Sequence, residues 1–300
     1  VLDHLACRSA SSFLFPHESQ KETKHLLSRN YPGYYSLILT TADALCRNQI
    51  PLLGQVFSYP QEIDWHREPV TGLQWPRWHI GRIGNHLGSP ERGADLIHFW
   101  ELNRHQYFIT LGMAYWLTGE ERFAEAFCSQ VKSWIDANPL QHGLNWYYGL
   151  EVSIRLIAWT AAFQFFRNSA QFRNQVGSIF LKSFWQQADF LSRHLQTIRD
   201  DVPNNHMMAE LAGLIVVGAA FPEFRQSATW LETGLNLMNQ QAIAQMHPDG
   251  VNKEQAIGYH RFIAELILLV VARSKRGDFP RQPNLEDTLE RMFDYLLFTL

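Results

Sequence analysis

Apolar residues recur at helical spacing along almost the whole chain, and no stretch alternates convincingly as a strand, so the chain is restricted to an all-α architecture. From Ala94 the pattern Leu96, Phe99, Trp100, Asn103, Tyr107, Leu111, Ala114, Tyr115 predicts one helix closed by Gly119. Phe123, Phe127, Val131 and Trp134 predict its antiparallel partner from Glu120 to Ala137, ended by Asn138-Pro139. Further helices are predicted over 144–167, 171–198, 203–220, 223–245, 251–273 and 284–300, joined by short turns such as Phe221-Pro222-Glu223. Antiparallel hairpins in series build either a curved array or a closed α/α toroid, here read as one domain over 1–300. The last predicted helix carries apolar Tyr295-Leu296-Leu297-Phe298 without a terminator, as if it leads into a further domain.

Composition narrows the function. Hydrophobic residues make up 46% and charged residues 18%, which excludes a disordered chain. The longest apolar runs, Leu211 to Phe221 and Phe262 to Ala272, fall short of the roughly 20 residues that span a bilayer. A net charge of −3 offers no basic field for nucleic acid. Arg outnumbers Lys by 20 to 6; guanidinium forks grip carboxylate or sulfate, although codon bias explains the ratio equally well. Cys7, Cys46 and Cys128 define no disulfide framework or metal motif. Residues 54–93 break the helical pattern with many Gly and Pro beside Trp65, Trp75 and Trp78, which either anchor a long loop or stack on sugar rings.

Polar residues interrupt the apolar helices at four places. Trp100-Glu101-Leu102-Asn103-Arg104-His105 is the first; its plain alternative is a solvated face with a Glu101–His105 pair. In the second, Asn145-Trp146 precedes Glu151 and Arg155, with Asn145 placed to cap a helix and Glu151 to pair with Arg155. In the third, Asp201 and Pro203 suit a cap and first turn. Asn204, Asn205 and His206 then sit where free N–H groups and the positive helix end favour an anion. His206 and Glu210 would need a third ligand to hold a metal, and no HExxH occurs, so neither metal nor cofactor is expected. In the fourth, after Pro248-Asp249-Gly250, Gln255 and Tyr259 share a face beside Glu254, Gly258, His260 and Arg261, and Gly258 would admit a closely approaching chain or ligand.

These clusters, taken in order with Trp65-His66-Arg67-Glu68-Pro69, Trp75-Pro76, Leu117-Thr118-Gly119-Glu120 and Gly143-Leu144-Asn145-Trp146, make residues 60–275 resemble the helical domain of the heparinase II/III-like polysaccharide lyases. The resemblance implies an incomplete α/α toroid followed by a C-terminal antiparallel β-sandwich domain absent from this chain, with the active site between them. It further implies a bacterial enzyme, periplasmic or secreted, whose partner is an acidic polysaccharide. The family's conserved Asn falls on Asn205, its neighbouring His on His206 and its catalytic Tyr on Tyr259. The expected substrate contacts are Trp100, Asn103, Arg104, His105, Asn145, Trp146, Glu254, His260 and Arg261.

The implied reaction is β-elimination at a 4-linked uronate: a base removes H5, an acid protonates the departing O4, and a 4,5-unsaturated uronate remains. Asn205, with His206, would offset the charge that develops on the uronate carboxylate. Tyr259 would be the acid and, as tyrosinate, also the base, its pKa lowered by His260 or Arg261, unless His206 is the base. Two other readings stay open. One is an inverting glycoside hydrolase using Glu101 with Asp249 or Glu254. The other is a non-catalytic module binding acidic glycans through Arg67, Arg104 and Arg261.

Overall fold

The computed structural model describes residues 4–5, 20–83, 96–195 and 204–299. The chain divides into two compact units, Val1–Gln187 and Ala188–Leu300. The first contains α1 (Gln20–Asn30), α2 (Pro32–Cys46), a hairpin of β1 (Gln49–Leu52) and β2 (Gln55–Ser58), then α3 (Ile97–Arg104), α4 (Tyr107–Thr118), α5 (Glu121–Ala137) and α6 (Gly149–Phe166). Helix α7 (Gly177–Arg193) runs past the boundary in sequence. The second unit holds α8 (Asn205–Ala220), α9 (Ser227–Gln245), α10 (Ile257–Lys275) and α11 (Pro283–Thr299). Among the described residues no helix is long and apolar enough to cross a membrane.

Each unit pairs an enclosed helix with one-sided partners. In α6, 16 of 18 residues are buried, as expected of a helix apolar on all faces, whereas α5 buries one stripe led by Phe123, Phe127, Val131 and Trp134. The core of the first unit is aromatic: Phe127 stacks on Phe166 at 4.4 Å and Trp159 on Phe180 at 4.8 Å. In the second unit α8 is the enclosed helix, and it meets α9 through glycines. A Cβ on Gly218 would lie 2.7 Å from the Ser227 carbonyl oxygen, and one on Gly234 would lie 2.6 Å from the Ile215 side chain.

Three local departures from the sequence reading have physical causes. The helix predicted from Ala94 to Gly119 breaks at His105, whose backbone is left-handed (φ 60°), before α4 resumes at Tyr107. A hairpin forms where no strand was expected, turning through Leu53 and Gly54 with φ of 48° and 82°, the two positive angles that a tight turn between twisted strands requires. Helix α10 starts at Ile257 and not at 251, because Gln255 is left-handed (φ 56°) and Asn252 folds the preceding segment into a turn. Among the described residues no neighbour lies within 4 Å of a Cβ added to Gly258. In the long loop, Trp65 and Trp75 are buried and act as anchors, and its residues 84–93 lie outside the described residues.

Because α8 and α9 touch through backbone at Gly218, Gly218→Ala must push them apart or crowd Ser227. We expect a loss of about 1–3 kcal/mol in chemical denaturation, with Gly258→Ala neutral or slightly stabilising in the same experiment.

Candidate functional site

The expected site residues fall into a cluster in each unit. In the first, Asn103 is fully enclosed. Its amide nitrogen donates to the carbonyl oxygens of Phe99 (2.9 Å) and Trp65 (3.2 Å), and its Oδ1 accepts from Trp134 Nε1 and Asn145 Nδ2, both at 2.9 Å. Asn145 also donates to Asn138 Oδ1 at 2.8 Å. It sits in a 3₁₀ turn, Leu144–Trp146, and caps no helix. Arg155 is buried among these groups, donating to Gln187 Oε1 (2.6 Å) and the Asn145 carbonyl oxygen (2.9 Å), with its guanidinium 4.4 Å from the Trp134 ring and 5.9 Å from Trp146. Burial lowers its pKa to about 9, which leaves it a cation at neutral pH.

The simple i,i+4 pairs do not form. Glu151 accepts both a 2.8 Å and a 2.9 Å bond from Arg104 in a bidentate fork, and Glu101 bonds the same guanidinium. Three of the five N–H donors of Arg104 are therefore taken by two carboxylates. His105 is wholly enclosed, its Nδ1 accepting from Trp159 Nε1 at 2.9 Å and its ring stacked 4.6 Å from Phe108. Burial, helped by Arg155, holds its pKa well below the usual value, so it is neutral. His105, Asn103, Asn145 and Trp146 are all buried inside this unit, where they position the elements around them. Trp100 is half-buried, edge-on to Tyr148 at 5.5 Å. A cleft of about 700 Å³ elsewhere in this unit, lined by Asp64, Arg77, Lys132 and Asp136, includes none of the expected site residues.

In the second unit Asn204, not Asp201, caps α8; Asp201 and Pro203 lie outside the described residues. Asn204 Oδ1 accepts from the backbone N–H of His206 (3.0 Å) and Met207 (3.3 Å). Glu254 accepts the backbone N–H of Asn205 through Oε1 and its side-chain Nδ2 through Oε2, both at 2.7 Å. The first N–H groups of α8 are therefore taken, and the expected free backbone donors for an anion are not available. Among the described residues the second hydrogen of Asn205 Nδ2 meets no acceptor. Tyr259, the third residue of α10, is 49% exposed and makes no hydrogen bond among the described residues; Arg261 is exposed. His260 is buried, accepting from the Asn252 N–H through Nδ1 (3.3 Å) and bonding the Met292 carbonyl oxygen through Nε2 (3.0 Å). His260 thus has both ring nitrogens engaged, and half-buried Glu254 is paired with Asn205. His206 is half-buried at the second position of α8. Among the described residues no group of three or more His, Cys, Asp or Glu could hold a metal.

The sequence reading passed over Trp134, Asn138, Gln187 and Asn252, which complete the two networks. Asn138 reads as a helix stop and Asn252 as a turn residue, so neither carried a signal beyond its local role.

Residues 40–299 match the family described as Heparinase II/III N-terminus. A heparin-sulfate lyase of Pedobacter heparinus is 30% identical over 206 residues, covering 66% of this chain and 30% of its own length. One of Bacteroides stercoris is 28% identical over 260 residues, covering 79% and 34%. The crystal structure of heparan sulfate lyase HepC from Pedobacter heparinus superposes with a TM-score of 0.65 at 25% identity, over 99% of this chain and 42% of that one. The chain thus spans about a third of the length of these curated relatives, and its helical hairpins have the fold class of the incomplete α/α toroid.

A histidine that is neutral when folded binds fewer protons than it does unfolded, so its contribution to stability falls once pH drops below about 6.5. We expect urea-unfolding free energy to decline below that pH by up to about 1.4 kcal/mol per pH unit for His105. The decline should be shallower in His105→Asn, which tolerates the left-handed backbone.

Proposed function

The chain belongs to the heparinase II/III family, and we propose from that premise that it is the helical part of a polysaccharide lyase. Its reaction is β-elimination at a 4-linked uronate in an acidic polysaccharide. The observation that supports this most directly is Asn205, a nearly buried carboxamide at the start of α8 with one amide hydrogen still uncommitted. As H5 departs, negative charge builds on the uronate carboxylate, and a donor already in position stabilises that charge more than the ground state. Asn205 supplies this donor, with His206 on the next residue beside it. Tyr259 presents an unbonded phenol that protonates O4, and as tyrosinate it also removes H5.

Activity is a property of the whole protein, in which a β-sandwich domain completes the cleft and contributes to substrate choice. Heparan sulfate is the first substrate to try, since the relatives named above are heparin-sulfate lyases. The test follows ultraviolet absorbance of the unsaturated uronate, using the longest natural form of the protein on a panel of acidic polysaccharides. Tyr259→Phe should lose roughly 10²–10⁴ in turnover while substrate still binds. Asn205→Ala should lower kcat by roughly 10²–10³ with KM little changed. Wild-type rates in Tyr259→Phe, or a pure KM effect in Asn205→Ala, would remove that residue from its role.

A further inference from the structure

We infer that Glu254 is a positioning residue that fixes which face of the Asn205 carboxamide meets the substrate, an inference that rests on the lyase reading above. The two ends of an asparagine amide are nearly isosteric, yet only the nitrogen donates. A carboxylate accepts and does not donate, so Glu254 Oε2, 2.7 Å from Asn205 Nδ2, accommodates the nitrogen and repels the oxygen. The second bond, from the Asn205 backbone N–H to Oε1 at 2.7 Å, stops Glu254 from swinging aside. One amide hydrogen is spent on the clamp, and the other is left to meet the uronate as it gains charge. With the amide turned over, lone pairs would face that charge instead.

The clamp is itself held. The Glu254 backbone N–H donates to Asn252 Oδ1 at 2.9 Å, and the Asn252 N–H donates to His260 Nδ1 at 3.3 Å. His260 then bonds the Met292 carbonyl oxygen at 3.0 Å. Glu254 lies three residues before Ile257, the first residue of α10, which carries Tyr259 at its third position. The same turn therefore orients the neutralising amide and leads into the helix that bears the acid.

Glu254→Gln is the discriminating variant, because a glutamine can pair with Asn205 in either amide orientation and so removes the selection without removing volume. In the longest natural form of the protein, kcat on the polysaccharide that wild type cleaves should fall roughly tenfold to a hundredfold. KM should stay within about twofold, and Glu254→Asp, which keeps an acceptor-only partner at shorter reach, should recover part of the loss. The loss should vanish when Glu254→Gln is added to Asn205→Ala, since the residue acts through Asn205. A near-wild-type kcat, a loss confined to KM, or an equal loss in the Asn205→Ala background would overturn the assignment. If wild type yields no unsaturated product from any acidic polysaccharide, the lyase reading fails. Hydrogen exchange at the Asn205 backbone amide in Glu254→Ala then decides the clamp by itself: about tenfold faster exchange supports it and unchanged exchange refutes it.

Discussion

Arg155 brings a positive charge into the interior of the first unit without a carboxylate bonded to it, and the surrounding side chains are organised around that fact. An uncompensated buried cation is unstable. Here it is met by a glutamine oxygen, a backbone carbonyl and the π faces of Trp134 and Trp146. Those groups are held in turn by Asn103 and Asn145, which join α3, α5 and the 3₁₀ turn before α6. The break at His105 belongs to the same arrangement, because it turns an imidazole inward to accept the Trp159 N–H. Polar residues inside apolar helices are thus accounted for as one network.

The second unit meets the opposite problem by the opposite means. Glu254 is a partly buried anion, and the N-terminus of α8 receives it, where N–H groups and the helix dipole both favour negative charge. The protein's own carboxylate thus occupies the position that the sequence suggested for a foreign anion. In the proposed mechanism anion recognition falls to one side-chain hydrogen, a narrower and more directional device than a row of backbone donors.

How much of this was legible in the sequence depended on the range of the interaction. Helical periods, the Gly119 stop and the Asn138 stop are local, and each was readable. The family resemblance singled out Asn205, His206 and Tyr259 because their motifs are contiguous. Pairings across long separations were not readable: i,i+4 spacing pointed Glu101 to His105 and Glu151 to Arg155, whereas both carboxylates pair with Arg104. Asn205 and Glu254 are 49 residues apart, and nothing in either segment announces the other. The hairpin at 49–58 was missed because its strands are four residues each, too short for alternation to register, and β2 is mostly exposed.

His260 ties a loop to a helix more than thirty residues further along the chain, through the carbonyl of Met292. That single bond sets a lower limit on how small a piece can keep this turn in shape. A fragment cut before α11 would keep Asn205, Glu254 and Tyr259 in its sequence yet lose the anchor that gives their turn its shape. A fragment that keeps this turn in shape therefore extends through Met292, well beyond Tyr259.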